Sequence, residues 1–408
     1  PYNPARWERE TEHYSLYGLI EWEFIENWKL AFEGRQVWED LSYGGPDTDR
    51  SVFDPSGTIC ALIPDLGCIG FVPQTGPGTD TLFGTTVPGV GRATEEDDFF
   101  APKLTLTWNA SDEAMTYLSF AQAYKPKGIS QITGGFGIWF DRACEAQPGC
   151  DPVERFRFDR ERLDAYELGI KTSWADNRLQ LNGAVFFQDF KNKQVSQQIV
   201  EGGALVPIVT NAGKAEVLGL EFNALWLPTD NLSLSLGYTY LDTEFTEYVQ
   251  FTGGVGTPAY VGNCTPVTRG GADGCDVDFS GNELEGAPPH SLVGNARWQS
   301  LLVGATDWFV ETDFQFQDDR FANDQNTVYF PAFWQFNFRA GLVSESLDVV
   351  LFVDNAFDDD TTRTGVLVPD IAFFAVDNPQ LRIPNRGRLY ATQPRTYGLR
   401  LTYRFGAR

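Results

Sequence analysis

The chain has 408 residues, 31 Lys plus Arg against 56 Asp plus Glu, a formal charge of −25 and an aromatic fraction of 14%. An isoelectric point near 4.4 excludes a nucleic-acid binder, which needs a basic face, and 42% hydrophobic content excludes intrinsic disorder. The two histidines, His13 and His290, are too few for a zinc site or a histidine-centred catalytic apparatus.

Length alone is compatible with two or three soluble domains or with one large β architecture. No run reaches the roughly 20 apolar residues of a membrane helix; Ile371 to Val376 is among the longest. The N-terminus, Pro1 to Trp7, lacks a basic segment followed by an apolar one, so an export signal is expected to have been removed or to lie upstream.

Along the chain the dominant signal is alternation with period 2, the mark of strands with one apolar and one polar face. About thirteen strands are expected, near residues 13–25, 27–42, 101–109, 114–125, 158–174, 178–194, 214–227, 231–246, 288–299, 306–319, 332–343, 347–357 and 395–405. In the 178–194 segment Leu179, Leu181, Val185 and Phe187 oppose Arg178, Gln180, Asn182 and Gln188. In the last segment Tyr397, Leu399, Leu401, Tyr403 and Phe405 oppose Gly398, Arg400, Thr402 and Arg404.

Short and long connections alternate without exception. Tight turns with Asn, Asp, Gly or Ser fall at Glu26-Asn27, 109–113, 175–177, 228–231, 300–305 and 344–346. Long connections fall at 43–100, 126–157, 195–213, 247–287, 320–331 and 358–394. One end of the sheet is trimmed and the other elaborated, as in an antiparallel transmembrane β-barrel with short periplasmic turns and long extracellular loops. Three features weigh against the alternative of a soluble, lectin-like β-sandwich. The strands reach the length of a tilted span; the non-lipid face carries Glu167, Lys171, Arg339, Arg400 and Arg404; and Trp108, Trp174, Trp226, Trp298, Trp308, Trp334 and Tyr397 mark strand ends, as a headgroup girdle requires. The negative mean hydropathy, −0.27, is no objection, since half of each strand and every loop is polar.

The six cysteines sort into three close pairs, Cys60 with Cys68, Cys144 with Cys150, and Cys264 with Cys275, each inside one long connection. In an oxidising compartment they read as three local disulfides; the competing metal reading needs thiolates from separate segments and histidine support, which is scarce. The acidic clusters at Glu95 to Asp98, Asp273 to Asp278 and Asp358 to Asp360 read as solvated loop charge. The stretch from Asp276 to Gly281 begins like a calcium loop, but its twelfth position is Ala287 where a bidentate Glu belongs. Neither Gly134 to Gly137 nor Gly89 to Gly91 has the strand-to-helix context of a phosphate cradle. Nor do a nucleophile, a base and an orienting group assemble, so no enzyme, cofactor or resident metal is expected.

Several stretches resemble the C-terminal part of the barrel of TonB-dependent outer-membrane receptors. Asp164 to Lys171 followed by Arg178 to Phe187 is similar to a recurrent hairpin of that family, and Asn211 to Glu221 to the strand that follows it. Val353-Asp354-Asn355-Ala356-Phe357-Asp358 resembles the family's Asn-x-Phe-Asp near the penultimate strand, and Pro394 to Gly398 its closing strand. The resemblance implies a barrel of about 22 strands, of which residues 1–408 would supply roughly the last thirteen as a single partial domain. The plug domain, the TonB box and the first strands would lie outside this chain. Three residues, Gly406-Ala407-Arg408, follow the terminal aromatic Phe405, at which the family's chains usually stop.

The same resemblance implies capture of a scarce ligand at the Gram-negative cell surface and its TonB-energised import, with a ferric siderophore as the commonest cargo and cobalamin or glycans as alternatives. Outer-membrane lipid, the TonB complex, a small chelate and the barrel-assembly machinery are the implied partners. Candidate ligand contacts are Arg155 and Arg157 at the mouth of one strand, Arg382, Arg386, Arg388 and Tyr390 in the last loop, and Trp139 with Phe140 beside the second cysteine pair. An arginine cluster in an acidic protein suits an anionic chelate; the competing role for each residue is surface or strand capping. A porin-like passive channel is the alternative from another class.

Overall fold

The computed structural model describes residues 8–44, 92–130, 157–201, 204–211, 213–253, 264–269, 272–369 and 385–405. Among them, thirteen strands form one antiparallel sheet in unbroken sequence order. They are β1 (Glu8–Ile25), β2 (Trp28–Gly44), β3 (Arg92–Ser111), β4 (Ala114–Lys125), β5 (Glu161–Trp174), β6 (Leu179–Lys191), β7 (Lys214–Thr229), β8 (Leu232–Glu247), β9 (His290–Val303), β10 (Thr306–Gln317), β11 (Phe333–Val343), β12 (Leu347–Asp354) and β13 (Thr396–Tyr403). Each strand pairs only with its neighbours in sequence, β1 and β13 standing at the two ends of the order.

The register fixes the faces. Leu181, Ala224 and Leu236 align across β6, β7 and β8, as do Val185, Leu220 and Tyr240, and these belong to the apolar face. Leu168, Val185, Leu220, Leu236, Leu351 and Leu399 stay exposed although they are large and hydrophobic, which is what lipid-facing residues do. Asn182, Asn223 and Gly237 align on the opposite, polar face.

Tryptophans collect on the lipid face at the short-turn end: Trp22, Trp108, Trp174, Trp226 and Trp298 are all exposed, and Trp28 stacks on Trp108 at 5.6 Å. The other end of the belt carries Tyr14, Trp38, Phe100, Tyr166, Trp334 and Tyr397, also exposed. From Trp28 to Trp38 on β2 the chain travels about 33 Å, and a tilt of about 40° projects this onto an apolar band of about 25 Å.

Several glycines are spaces that a cross-strand ring fills. A Cβ on Gly398 would meet the Phe352 ring at 2.7 Å, one on Gly34 the Phe100 ring at 2.6 Å, and those on Gly169 and Gly219 the rings of Tyr117 and Phe186. The tight turns use the left-handed region where a two- or three-residue reversal needs it, at Asn27, at Ala175 to Asn177 and at Gly304.

The long connections are more ordered than a run of loops. Short hairpins occur at 128–129 with 157–158, 194–201 with 204–211, 320–321 with 329–330 and 365–369 with 385–389, and a three-stranded sheet joins 249–253, 264–269 and 272–278. One strand limit also needs correction. The third strand begins at Arg92, nine residues earlier than alternation placed it, and pairs with β2 as far as Gly44. Above the belt both of its faces are wet, so the acidic run Glu95 to Asp98 lies in a strand, where the alternation signal vanishes and charge reads as loop.

Candidate functional site at the long-loop mouth

Three tiers build the mouth. The first anchors the loops to the extended rim of β3. Lys127 reaches Glu95 at 3.2 Å, Arg157 pairs with the same carboxylate and donates to the Thr94 carbonyl at 3.0 Å, and Arg160 holds Asp97, which is buried. The Gln194 side-chain amide donates to the main-chain carbonyls of Pro126 and Asp159 at 2.8 and 3.1 Å, tying two loops together. The Ser130 hydroxyl donates to the Val209 carbonyl and accepts from the Val209 amide, both at 2.7 Å. Glu95 and Asp97 of this acidic cluster are therefore occupied by cations, and the reading of the cluster as solvated charge fails at Asp97.

The second tier is a small apolar core of Val195, Ala215, Phe245, Tyr248, Val277 and Phe279. The Phe245 and Tyr248 rings meet at 4.7 Å, tilted by 35°, and are 0% and 1% exposed, each contributing about 2–3 kcal/mol by burial. Val277 and Phe279 come from the stretch that began like a calcium loop: they point into this core, while Asp278 accepts from the Ser280 amide at 2.9 Å. The Tyr248 hydroxyl donates to Asp324, whose carboxyl is pushed up by burial and by the nearby charge of Glu285. Burial also raises Glu283, aided by Asp319 and Asp242.

These raised carboxyls fix the sign of a pH effect. A carboxyl that binds its proton more tightly when folded takes stability away above its folded pKa and returns it as pH falls towards the unfolded value. Mild acidification towards pH of about 4–5, just above the ordinary carboxylate range, is thus expected to protect segment 318–332 from proteolysis. Asp324→Asn combined with Glu283→Gln should flatten that dependence; a segment that becomes more labile over the same window contradicts it.

The third tier is the inner wall. Arg297 bridges to Glu311 at 2.5 Å, and Arg339 joins Asp313 with Asp354, the latter at 3.3 Å. Asn337 donates to Asp313 at 2.5 Å, and Gln315 and Gln335 meet at 3.3 Å. Gln180, Asn182, Asn223, Ser235, Asn295, Gln315, Gln335 and Asn337 line a groove of about 550 Å³ that crosses from β6 to β11. A wall of carboxamides and paired charges offers hydrogen bonds to a polar guest without a strong field of either sign.

Of the expected ligand contacts, Arg157, Arg386, Arg388 and Tyr390 fall within the described residues. Arg157 is engaged with Glu95 as described. Arg386 and Arg388 stand on the strand Asn385–Leu389, opposite Val368 and Val366. Tyr390 is exposed, and its amide bonds the Thr364 carbonyl at 3.1 Å. Trp139, Phe140, Arg155 and Arg382 lie outside the described residues, as do Cys60, Cys68, Cys144 and Cys150. Cys264 and Cys275 lie on paired strands, opposite Val277 and Pro266, so their backbones are two residues apart in register. Reasoning from sequence missed Arg320 and Arg363 at the inner rim, because both fall in or beside segments that read as loops.

The Asn355 motif has a structural role. Its side-chain amide donates to the carbonyls of Asp359 and Gln393 at 2.9 and 3.0 Å, and its Oδ1 accepts from the Asp359 amide at 2.9 Å. Asp358 accepts from the Arg395 amide at 2.8 Å. Together they clip the exit of β12 to the entry of β13.

A meander of long tilted strands, a lipid belt with girdles on both sides, a polar interior and a built-up mouth at one end together define an outer-membrane β-barrel. Residues 1–356 match the family described as "TonB dependent receptor-like, beta-barrel", and the chain belongs to that family. The chain is 23% identical over 268 residues to the probable TonB-dependent siderophore receptor PiuA of Acinetobacter baumannii, covering 65% of this chain and 31% of that protein. It is 27% identical over 264 residues to the pesticin receptor of Yersinia pestis, covering 64% of this chain and 32% of that protein. The structure of the ferric yersiniabactin uptake receptor FyuA from Yersinia pestis superposes with a TM-score of 0.65 at 16% identity, over 98% of this chain and 46% of that one. The chain spans about a third of the length of the curated relatives it matches, and it is part of a barrel of the Gram-negative outer membrane.

Proposed function

We propose that residues 1–408 form the C-terminal part of the barrel of a receptor that imports a ferric siderophore by TonB-energised transport. The observation that supports this reading is the match to proteins named as siderophore receptors, together with a mouth whose loops are tied to the extended rim of β3. In this reading the segments outside this chain close the barrel and couple it to TonB, the barrel-assembly machinery inserts it, and outer-membrane lipid meets the apolar belt. The barrel's own chemistry is binding. The loop residues Trp139, Phe140, Arg155, Arg157, Arg382, Arg386, Arg388 and Tyr390 are offered as contacts for the chelate, and Cys60–Cys68, Cys144–Cys150 and Cys264–Cys275 as local disulfides that restrain the loops carrying them.

The test is uptake of radiolabelled iron in a deletion strain complemented with the full-length gene, over a panel of ferric chelates, cobalamin and glycans. Complementation should restore uptake of at least one ferric chelate, and removing TonB should abolish it. Uptake that persists without TonB would indicate a passive channel, and restored uptake of cobalamin or a glycan alone would replace the cargo.

A further inference from the structure

At the long-loop end of the inner wall two arginines stand over phenylalanine rings. Gln317 closes β10 directly opposite Phe333, which opens β11, with Gln335 two residues further on the same face. The Arg363 guanidinium lies 4.0 Å from the centre of the Phe333 ring and donates to Gln335 Oε1. The Arg320 guanidinium lies 5.4 Å from the centre of the Phe330 ring. It donates at 2.6 Å to Gln317 Oε1 and at 2.6 Å to the main-chain carbonyl of Arg363. One arginine therefore holds the backbone of the other; neutral acceptors and aromatic faces position both, with the Asp359 carboxylate a further acceptor for Arg363.

The charge balance here differs from the rest of the mouth. Arg157, Arg160, Arg297 and Arg339 each meet a carboxylate. Arg363 has only Asp359, at 3.4 Å, and Arg320 has no ion pair among the described residues. Among the described residues Arg35 and Arg400 also lack an ion pair with a carboxylate, but they stand on β2 and β13, at or next to the ends of the strand order. Arg320 is partly buried, and burial pushes its pKa down. Taking a guanidinium out of water without a counter-ion costs folding free energy, and an incoming anion would offset that cost. Both residues are half-buried, the Arg363 side chain 18% exposed with its Nε buried and without a hydrogen-bond partner among the described residues, so a guest would meet the N–H groups of the two planar forks that stay accessible. Guanidinium forks match carboxylate and phenolate oxygens.

We infer that Arg320 and Arg363, mounted on Phe330 and Phe333, form an anion-recognition site at the lumen mouth that takes an oxygen-rich anionic metal chelate. The inference rests on the uptake reading and adds the charge class of the cargo.

Purified full-length receptor, titrated by tryptophan fluorescence, tests it with two probes: a trianionic ferric tris-catecholate and a neutral ferric tris-hydroxamate. Arg320→Gln and Arg363→Gln should each weaken the anionic probe roughly tenfold and the neutral probe by less than about twofold, with Arg320→Lys in between because the charge is kept and the fork is lost. Lys214→Gln, on the outer face, should change neither. Heat-modifiable gel mobility verifies that each variant is folded. Equal weakening of both probes would mean a purely structural role, and no weakening of either, or a wild-type preference for the neutral probe, would also overturn the site. Cells separate the two levels: if the wild type imports ferric chelates while the variants keep its charge preference, the site falls and the uptake reading stands. Wild-type cells that import no ferric chelate remove both.

Discussion

Leu220→Lys is expected to destabilise the folded barrel by about 2–4 kcal/mol, the cost of a lysine at the middle of the lipid belt, whereas Asn223→Lys, three residues along the same strand, should be close to neutral. Leu220 lies between Val185 and Tyr240 on the apolar face, and Asn223 lies between Asn182 and Gly237 on the polar one. The two changes introduce the same side chain into the same strand, so strand propensity cancels and only the medium differs. Urea unfolding of the full-length receptor in lipid vesicles, followed by the loss of heat-modifiable mobility, measures both. Equal costs would refute the assignment of faces, and a larger cost at Asn223 would invert it.

Asn355→Ala should be the most costly change in the loop rim, lowering stability by roughly 3 kcal/mol or more. The side chain is 3% exposed, and its removal strands the Asp359 amide and the carbonyls of Asp359 and Gln393. Asn355 also has φ of 49°, a conformation Asn tolerates and Ala resists. Asn355→Gly removes the bonds but relieves the backbone, so it should fall between the wild type and Asn355→Ala. Limited proteolysis across 356–395 and the urea midpoint read the effect. A midpoint shift equal in the Gly and Ala variants would assign the whole loss to hydrogen bonding, and no shift in either would deny the clip.

The strands were legible because lipid on one side and a wet interior on the other impose a strict period of 2 on every span. Tyr397, Leu399 and Leu401 against Gly398, Arg400 and Thr402 illustrate it, and those strands pair in the order in which the sequence presents them. The rule stops where the lipid stops. Glu95 to Asp98 extend β3 above the belt, where water touches both faces and the strand is held by ions from Lys127, Arg157 and Arg160. Residues 194–201 and 204–211 pair with each other rather than with the barrel, so their alternation has no lipid to point at. The rim arginines were illegible for a different reason. Arg363 and Phe333 are thirty residues apart, and nothing local in either segment announces that one will lie on the other. The Asn355 motif was visible by resemblance alone; its role as a clip needs the carbonyl of Gln393, which only the turn back into β13 brings close.

The nearest-neighbour order of the sheet has a mechanical consequence. Among the described residues, every strand of the thirteen-strand sheet is joined within that sheet only to the strand before it and the strand after it, so none of these strands must be unthreaded before another can leave. A pulling force applied at the C-terminal end would meet β13 and β12 first, and each extracted hairpin would expose the next as a fresh edge. The chain should come out of the bilayer in pairs of strands, and the same geometry read backwards lets a barrel be zipped in from one edge without any intermediate that buries an unpaired interior strand.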